Sequence, residues 1–240
     1  MNTIRKTTIK ESKTNMTGSN LFRLAGLAAM GAGILYIGVQ AIHPLDVLSS
    51  VTTARWAIVH YLSFAMDILG LLGIAGLYAR QVEKAGWLGL AGYLLFSLFW
   101  AITAGFHFIE AFISPVLATV SPVFVESFLG IIIGEPGEIN LGALPAVYAV
   151  NGLFYMLGGL LFGIATFRAR VLPRWASGLL AFGIVLPLLG SSFVPHPYDR
   201  IFAVPVGLAL AWLGYALFSE QQENAPELVS ARSTQPSNVA

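Results

Sequence analysis

Apolar positions along this chain come in long unbroken runs, and the polar positions gather between them. Six runs approach the roughly 20 residues a helix needs to cross a bilayer. They are Leu24–Ile42, Trp56–Tyr78, Trp87–Phe106 (with an extension to Phe112), Leu144–Phe167, Trp175–Val194 and Ile201–Phe218. Their Gly and Pro residues do not argue against helix, because in lipid each backbone must satisfy its own hydrogen bonds. The pattern predicts an all-α membrane protein with six transmembrane helices in one domain over residues 21–218. Residues 1–20 are rich in Thr, Ser and Asn and read as a polar segment before an uncleaved first span. Residues 219–240, rich in Gln, Glu, Ser and Pro, read as a disordered tail. The connection 113–143 has no Lys or Arg, several prolines, and an apolar centre at Phe128–Gly134. It is too short to span and too apolar to be freely solvated, so an interfacial or re-entrant lid is expected there.

Charge orients this array. Arg5, Lys6, Lys10, Lys13, Arg23, Arg80, Lys84, Arg168, Arg170, Arg174 and Arg232 fall at one set of ends, and only Arg55 and Arg200 at the other. Basic residues favour the cytoplasm, so both termini are expected inside. Composition agrees with a lipid solvent: 56% of residues are hydrophobic and 10% charged, where a soluble domain carries about 25% charged. Small residues recur at helical spacing in Gly70, Gly73 and Gly76, in Gly86, Gly89 and Gly92, and in Gly159 with Gly163. Close helix packing is the expected use of each set.

The runs also repeat in pairs. Arg23, Lys84 and Arg174 open the odd spans. His43, His107 and His196 close them 20, 23 and 22 residues later, each followed at the third position by an acid (Asp46, Glu110, Asp199). Even spans end alike, in Gly73–Arg80, Gly163–Arg170 and Gly214–Phe218. Three tandem helical hairpins pointing the same way account for this. Shared composition at membrane ends is the alternative explanation.

Polar side chains inside the runs form stripes. His60, Ser63, Asp67 and Gly70 share one helix face; so do Trp100, Thr103, His107 and Glu110, and Tyr148, Asn151, Tyr155 and Gly158. All three stripes are heaviest in the outer half, which predicts one outward-opening pocket. Asp67 lies about 16 Å from the outer end of its span. An acid there costs roughly 2.5–3.5 kcal/mol, with no Lys or Arg in any span to offset it. It must be protonated or hydrogen-bonded in a hydrated cavity, with Asn151, Tyr148 or Tyr155 as expected partners and Ser63 on its own face. A proton or small solute could bind there; a helix-locking hydrogen bond is the structural alternative. His60, His107 and Glu110 offer two nitrogens and an oxygen suited to a divalent metal ion. His43, Asp46, His196 and Asp199 are further candidates that ordinary span-end polarity also explains. Haem is the weaker fit, since two His would have to face each other across a porphyrin.

Zero cysteines exclude disulfides, thiolate metal sites and cysteine nucleophiles. No phosphate-binding glycine loop, nucleophile elbow or basic aromatic patch is present, and a net charge of +1 excludes nucleic acid as a partner. The bilayer is the expected partner, with a protein partner or a second copy left open. The His43-Pro44 pair, the stretch Gly76–Gln81 and the stretch Leu208–Leu217 resemble a group of uncharacterised bacterial multi-pass membrane proteins. That resemblance implies the topology above and a bacterial inner membrane, and carries no activity with it. Three functions remain: a carrier or binding protein for a small solute, metal ion or proton; a non-catalytic membrane scaffold; and a metal-dependent intramembrane enzyme. The enzyme reading has the least behind it.

Overall fold

The computed structural model describes residues 18–135, 137–190, 193–194 and 198–233, with side chains as far as Glu220. The described residues are helical, with no strand among them. The helices are α1 (Gly18–Ile42), α2 (Leu48–Val51), α3 (Ala54–Phe108), α4 (Ser114–Val120), α5 (Pro122–Ile133), α6 (Leu144–Ala169), α7 (Arg174–Gly190) and α8 (Ala203–Ser233). A π-helical turn, Ile109–Ile113, joins α3 to α4, and a 3-10 turn, Tyr198–Phe202, leads into α8. α8 continues past the expected span end at Phe218 into the stretch whose composition reads as a disordered tail.

Among the described residues four stretches are long and apolar enough to cross a membrane: Gly18–Ile42, Ala54–Val120, Leu144–Ala169 and Tyr198–Glu220. Six were expected. The second and third expected spans run on as one 67-residue stretch, and the fifth forms a helix of 17 residues, short of that length. The long stretch is not straight. Gly86 sits at φ 59°, ψ −163°, outside the helical region and open to glycine at little cost. The two arms, 54–85 and 87–108, fold back on each other: Tyr78 stacks on Tyr93 at 4.6 Å, and Gly70 lies against the Trp100 indole. Gly86 was expected to serve helix packing; it is instead the turn, and a Cβ there would meet nothing within 4 Å.

The helical rods close into a ring. α1 packs on the first arm of α3, the second arm on α6, α6 on α7, α7 on α8, and α8 back on α1. Close approach at the last contact requires glycine. A Cβ on Gly33 would stand 2.4 Å from Gly207 O, and one on Gly214 would stand 2.6 Å from Gly26 O. Phe96, Trp100, Leu180, Leu210 and Leu213 fill the interior, and residues such as Ile34, Leu72, Leu98 and Leu153 face outward. A bundle apolar on both faces fits a membrane-embedded protein. At one end Gln81 Nε2 donates to Thr166 Oγ1 (2.8 Å) and Arg80 pairs with Glu220. At the other end α5 folds back over the bundle, where Val125 and Leu129 cluster with Val51 and Trp56. The site lies beneath this cap.

Candidate functional site

The first arm of α3 begins with an N-cap, Thr53 Oγ1 accepting from Trp56 N (3.2 Å). One turn on, His60 is fully buried, stacked on the Trp56 ring at 3.9 Å. Its Nδ1 donates to Trp56 O (2.8 Å), which fixes the tautomer and leaves Nε2 as a buried acceptor with no hydrogen-bond partner. Asp67 follows two turns deeper, also fully buried.

The second arm brings the complementary groups back to the same depth. His107 Nδ1 donates to Asp67 Oδ2 at 2.6 Å. Asp67 therefore pairs with His107, and not with Asn151, Tyr148 or Tyr155 as its spacing predicts. The reason lies in the hairpin at Gly86, which lays the second arm directly on the first. Asn151, on α6, donates instead to Thr103 Oγ1 (2.8 Å), and its Oδ1 is buried without a partner. Ser63, on the same face as Asp67, is buried in the arm contact.

Helix continues beyond His107 only by widening into the π turn. Pro115 follows, and its ring lacks an N–H and crowds the carbonyl four residues back, which the wider turn accommodates. This turn carries Glu110 inward, where its backbone carbonyl accepts from Trp56 Nε1 (2.8 Å). Its Oε2 stands 3.7 Å from His60 Nε2 and 3.9 Å from His107 Nε2. The expected metal set, His60, His107 and Glu110, is thus brought together in space. Among the described residues, however, no group of three or more His, Cys, Asp or Glu is placed to hold a metal ion.

The connection after α1 completes the cluster. The His43 ring meets His60 edge-on at 5.2 Å, and its Nδ1 lies 3.9 Å from Asp46 Oδ1, the same separation as between His107 and Glu110. Burial pushes the His43 imidazole below its ordinary pKa, against the opposite pull of the Pro44 carbonyl and Asp46. Arg200 Nη2 donates to Asp46 Oδ2 (2.8 Å), and its Nη1 reaches the carbonyls of His43 and Pro44 (3.3 Å each). His196, the third member of the repeated motif, lies outside the described residues. Asp199 sits beside Arg200 at the 3-10 turn.

A cavity of about 350 Å³ opens against this cluster. His107 and Glu110 form one wall, Thr103 and Asn151 another, and Asp199 and Arg200 line it from the 3-10 turn. Most of the remaining lining is aromatic (Tyr36, Phe99, Phe106, Tyr148, Tyr155 and Phe202), with Ile132, Gly152, Pro187 and Ala203 completing it. The stripes of the second arm and of α6 therefore share one pocket, while His60, Ser63 and Asp67 stand behind its wall. Trp56, Tyr36 and Arg200 are contributors that the polar stripes did not single out. Arg200 was legible as one of two basic residues at this end, and Tyr36 as lying two turns before His43 on the same helix face. No family model, curated protein or solved structure matches the chain.

Proposed function

We propose that the protein is a six-span carrier of a bacterial cell membrane, built from three helical hairpins with both termini cytoplasmic. It binds a small solute in the outer-half cavity and couples the solute's movement to a proton held between Asp67 and His107. One observation carries this reading above the others. A fully buried carboxylate at mid-helix is bridged to an imidazole that lines a solute-sized cavity. Such groups inside a membrane bundle mark proton and solute pathways, and a cavity of this volume is typical of small-molecule sites. Supporting the topology, the hairpin at Gly86 turns one long apolar stretch into two antiparallel arms, and basic residues segregate to one set of ends. Proline within α7 (Pro187, on the cavity wall) and near the start of α8 (Pro205) offers bending points for a second conformation.

The test uses purified protein in vesicles loaded with a pH-sensitive dye, to which tetramethylammonium, acetate and glycerol are added in turn. At least one of them should drive proton movement in the wild type, and Asp67→Asn should abolish it while remaining folded and monodisperse. Equal signals from wild type and variant would remove Asp67 from the mechanism. No signal with any probe would favour a scaffold whose polar stripes specify helix packing alone.

A further inference from the structure

We infer that the cavity is a site for a small organic cation, an alkylammonium ion. This inference rests on the cavity being a solute site, and adds the class of solute. Three independent features of the wall point the same way.

The first is charge. Around the cavity and the cluster behind it stand four carboxylates, Asp46, Asp67, Glu110 and Asp199, and one guanidinium, Arg200. The guanidinium is engaged by Asp46 and by two backbone carbonyls. His107 answers Asp67. Glu110 is different: its carboxylate is 6% exposed, accepts no hydrogen bond from a described side chain, the His60 and His107 imidazoles standing 3.7 and 3.9 Å away, and lines the cavity. A buried carboxylate without a hydrogen-bonded cation is costly, and a cationic ligand relieves that cost.

Hydrogen-bond polarity is the second feature. Asn151 turns its donor to Thr103 and keeps a buried, unpartnered carbonyl oxygen on a cavity-lining side chain. With the Glu110 oxygens this gives the wall acceptors for a ligand with N–H or polarised C–H groups.

The third is the aromatic surface. Tyr36, Phe99, Tyr155 and Phe202 line a cavity that also touches a carboxylate. Ring faces carry negative potential, and aromatic cages beside an acid are a standard solution for binding quaternary and alkylated ammonium ions. An anionic solute would find one guanidinium already occupied and several carboxylates opposed to it. A neutral solute would leave Glu110 with only the two imidazoles that stand 3.7 and 3.9 Å away.

Binding to the detergent-purified full chain is measured by calorimetry with three probes of nearly one shape. These are choline, its neutral carbon isostere 3,3-dimethylbutan-1-ol, and the anion 3,3-dimethylbutanoate. Choline should bind at least tenfold tighter than the alcohol, with the anion weakest, as expected for a desolvated cation over aromatic faces. Glu110→Gln should lose most of that preference. Phe202→Leu, farther from the buried cluster, should weaken choline by several-fold more than it weakens the alcohol, which guards against a misfolded Glu110 variant. If the alcohol or the anion binds as well as choline, the cation inference falls and the solute-site reading stands. If none of the three binds, both fall.

Discussion

His107→Leu and Asp67→Leu remove opposite ends of one hydrogen bond, and their costs should be unequal. The Asp67 side chain is completely buried, whereas His107 is 19% exposed, on the cavity wall. Without His107, a carboxylate is stranded between helices or must take up a proton. Removing one partner of a buried ionic pair costs about 3–5 kcal/mol. Without Asp67, the imidazole remains beside a cavity that admits water, and the loss is that of a single hydrogen bond, about 1–2 kcal/mol. Replacing both with leucine removes the stranded charge as well, and apolar replacement of a buried pair is often neutral or better. The double variant should therefore lie within about 1 kcal/mol of wild type, more stable than His107→Leu alone. Unfolding by SDS in mixed micelles, followed by helical circular dichroism, measures all four proteins. The reasoning is refuted if His107→Leu is no worse than Asp67→Leu, or if the double variant is as unstable as the sum of the singles.

Three further outcomes follow from the packing. Gly33→Ala places a Cβ 2.4 Å from Gly207 O and 2.5 Å from Ala211 N, so α1 and α8 must part; the same unfolding assay should show a loss of about 3 kcal/mol. Gly86→Ala meets no neighbour but must hold φ 59° with ψ −163°, a region essentially confined to glycine, and should cost about 1–3 kcal/mol. Arg80→Ala breaks a pair whose partners are each about one-third exposed, so the loss should stay below about 1 kcal/mol and shrink in high salt. Elemental analysis gives a fourth: with no group of three or more His, Cys, Asp or Glu among the described residues placed to hold a metal ion, no stoichiometric metal should co-purify. About one equivalent of Zn, Fe or Mn, lost in His60→Ala/His107→Ala, would instead establish a metal centre.

Much of this site is written in the sequence, because helical periodicity is local. The spacings His60–Ser63–Asp67 and Tyr148–Asn151–Tyr155 place each set on one face whatever the rest of the chain does. What those faces meet depends on where the chain turns, and one residue decides that here. With the turn at Gly86, position 67 faces the neighbourhood of position 105, within one turn of His107. Treating Gly86 as a packing glycine hid that partner and made α6 look like the natural source. The π turn was hidden for a related reason. Continuing a regular helix through Glu110 gave the correct face but not the extra residue that Pro115 demands. A 17-residue α7 and a 67-residue stretch that turns at Gly86 both depart from the 20-residue rule, so helix length gives four candidate spans among the described residues where the apolar runs predict six.

The ring closes through α1 and α8, the first and last helices described, and that has a consequence in time. About 190 residues separate the end of α1 from the end of α8, and a ribosome adds roughly 5–20 residues per second. The glycine face of α1 therefore waits about 10–40 s for the surface that covers it. Tyr36 on α1 and Phe202 beside α8 both line the cavity, so the cavity is finished only when the final helix is in place. A chain interrupted during synthesis would expose an unclosed seam and an unfinished cavity to lipid and to insertion and quality-control machinery.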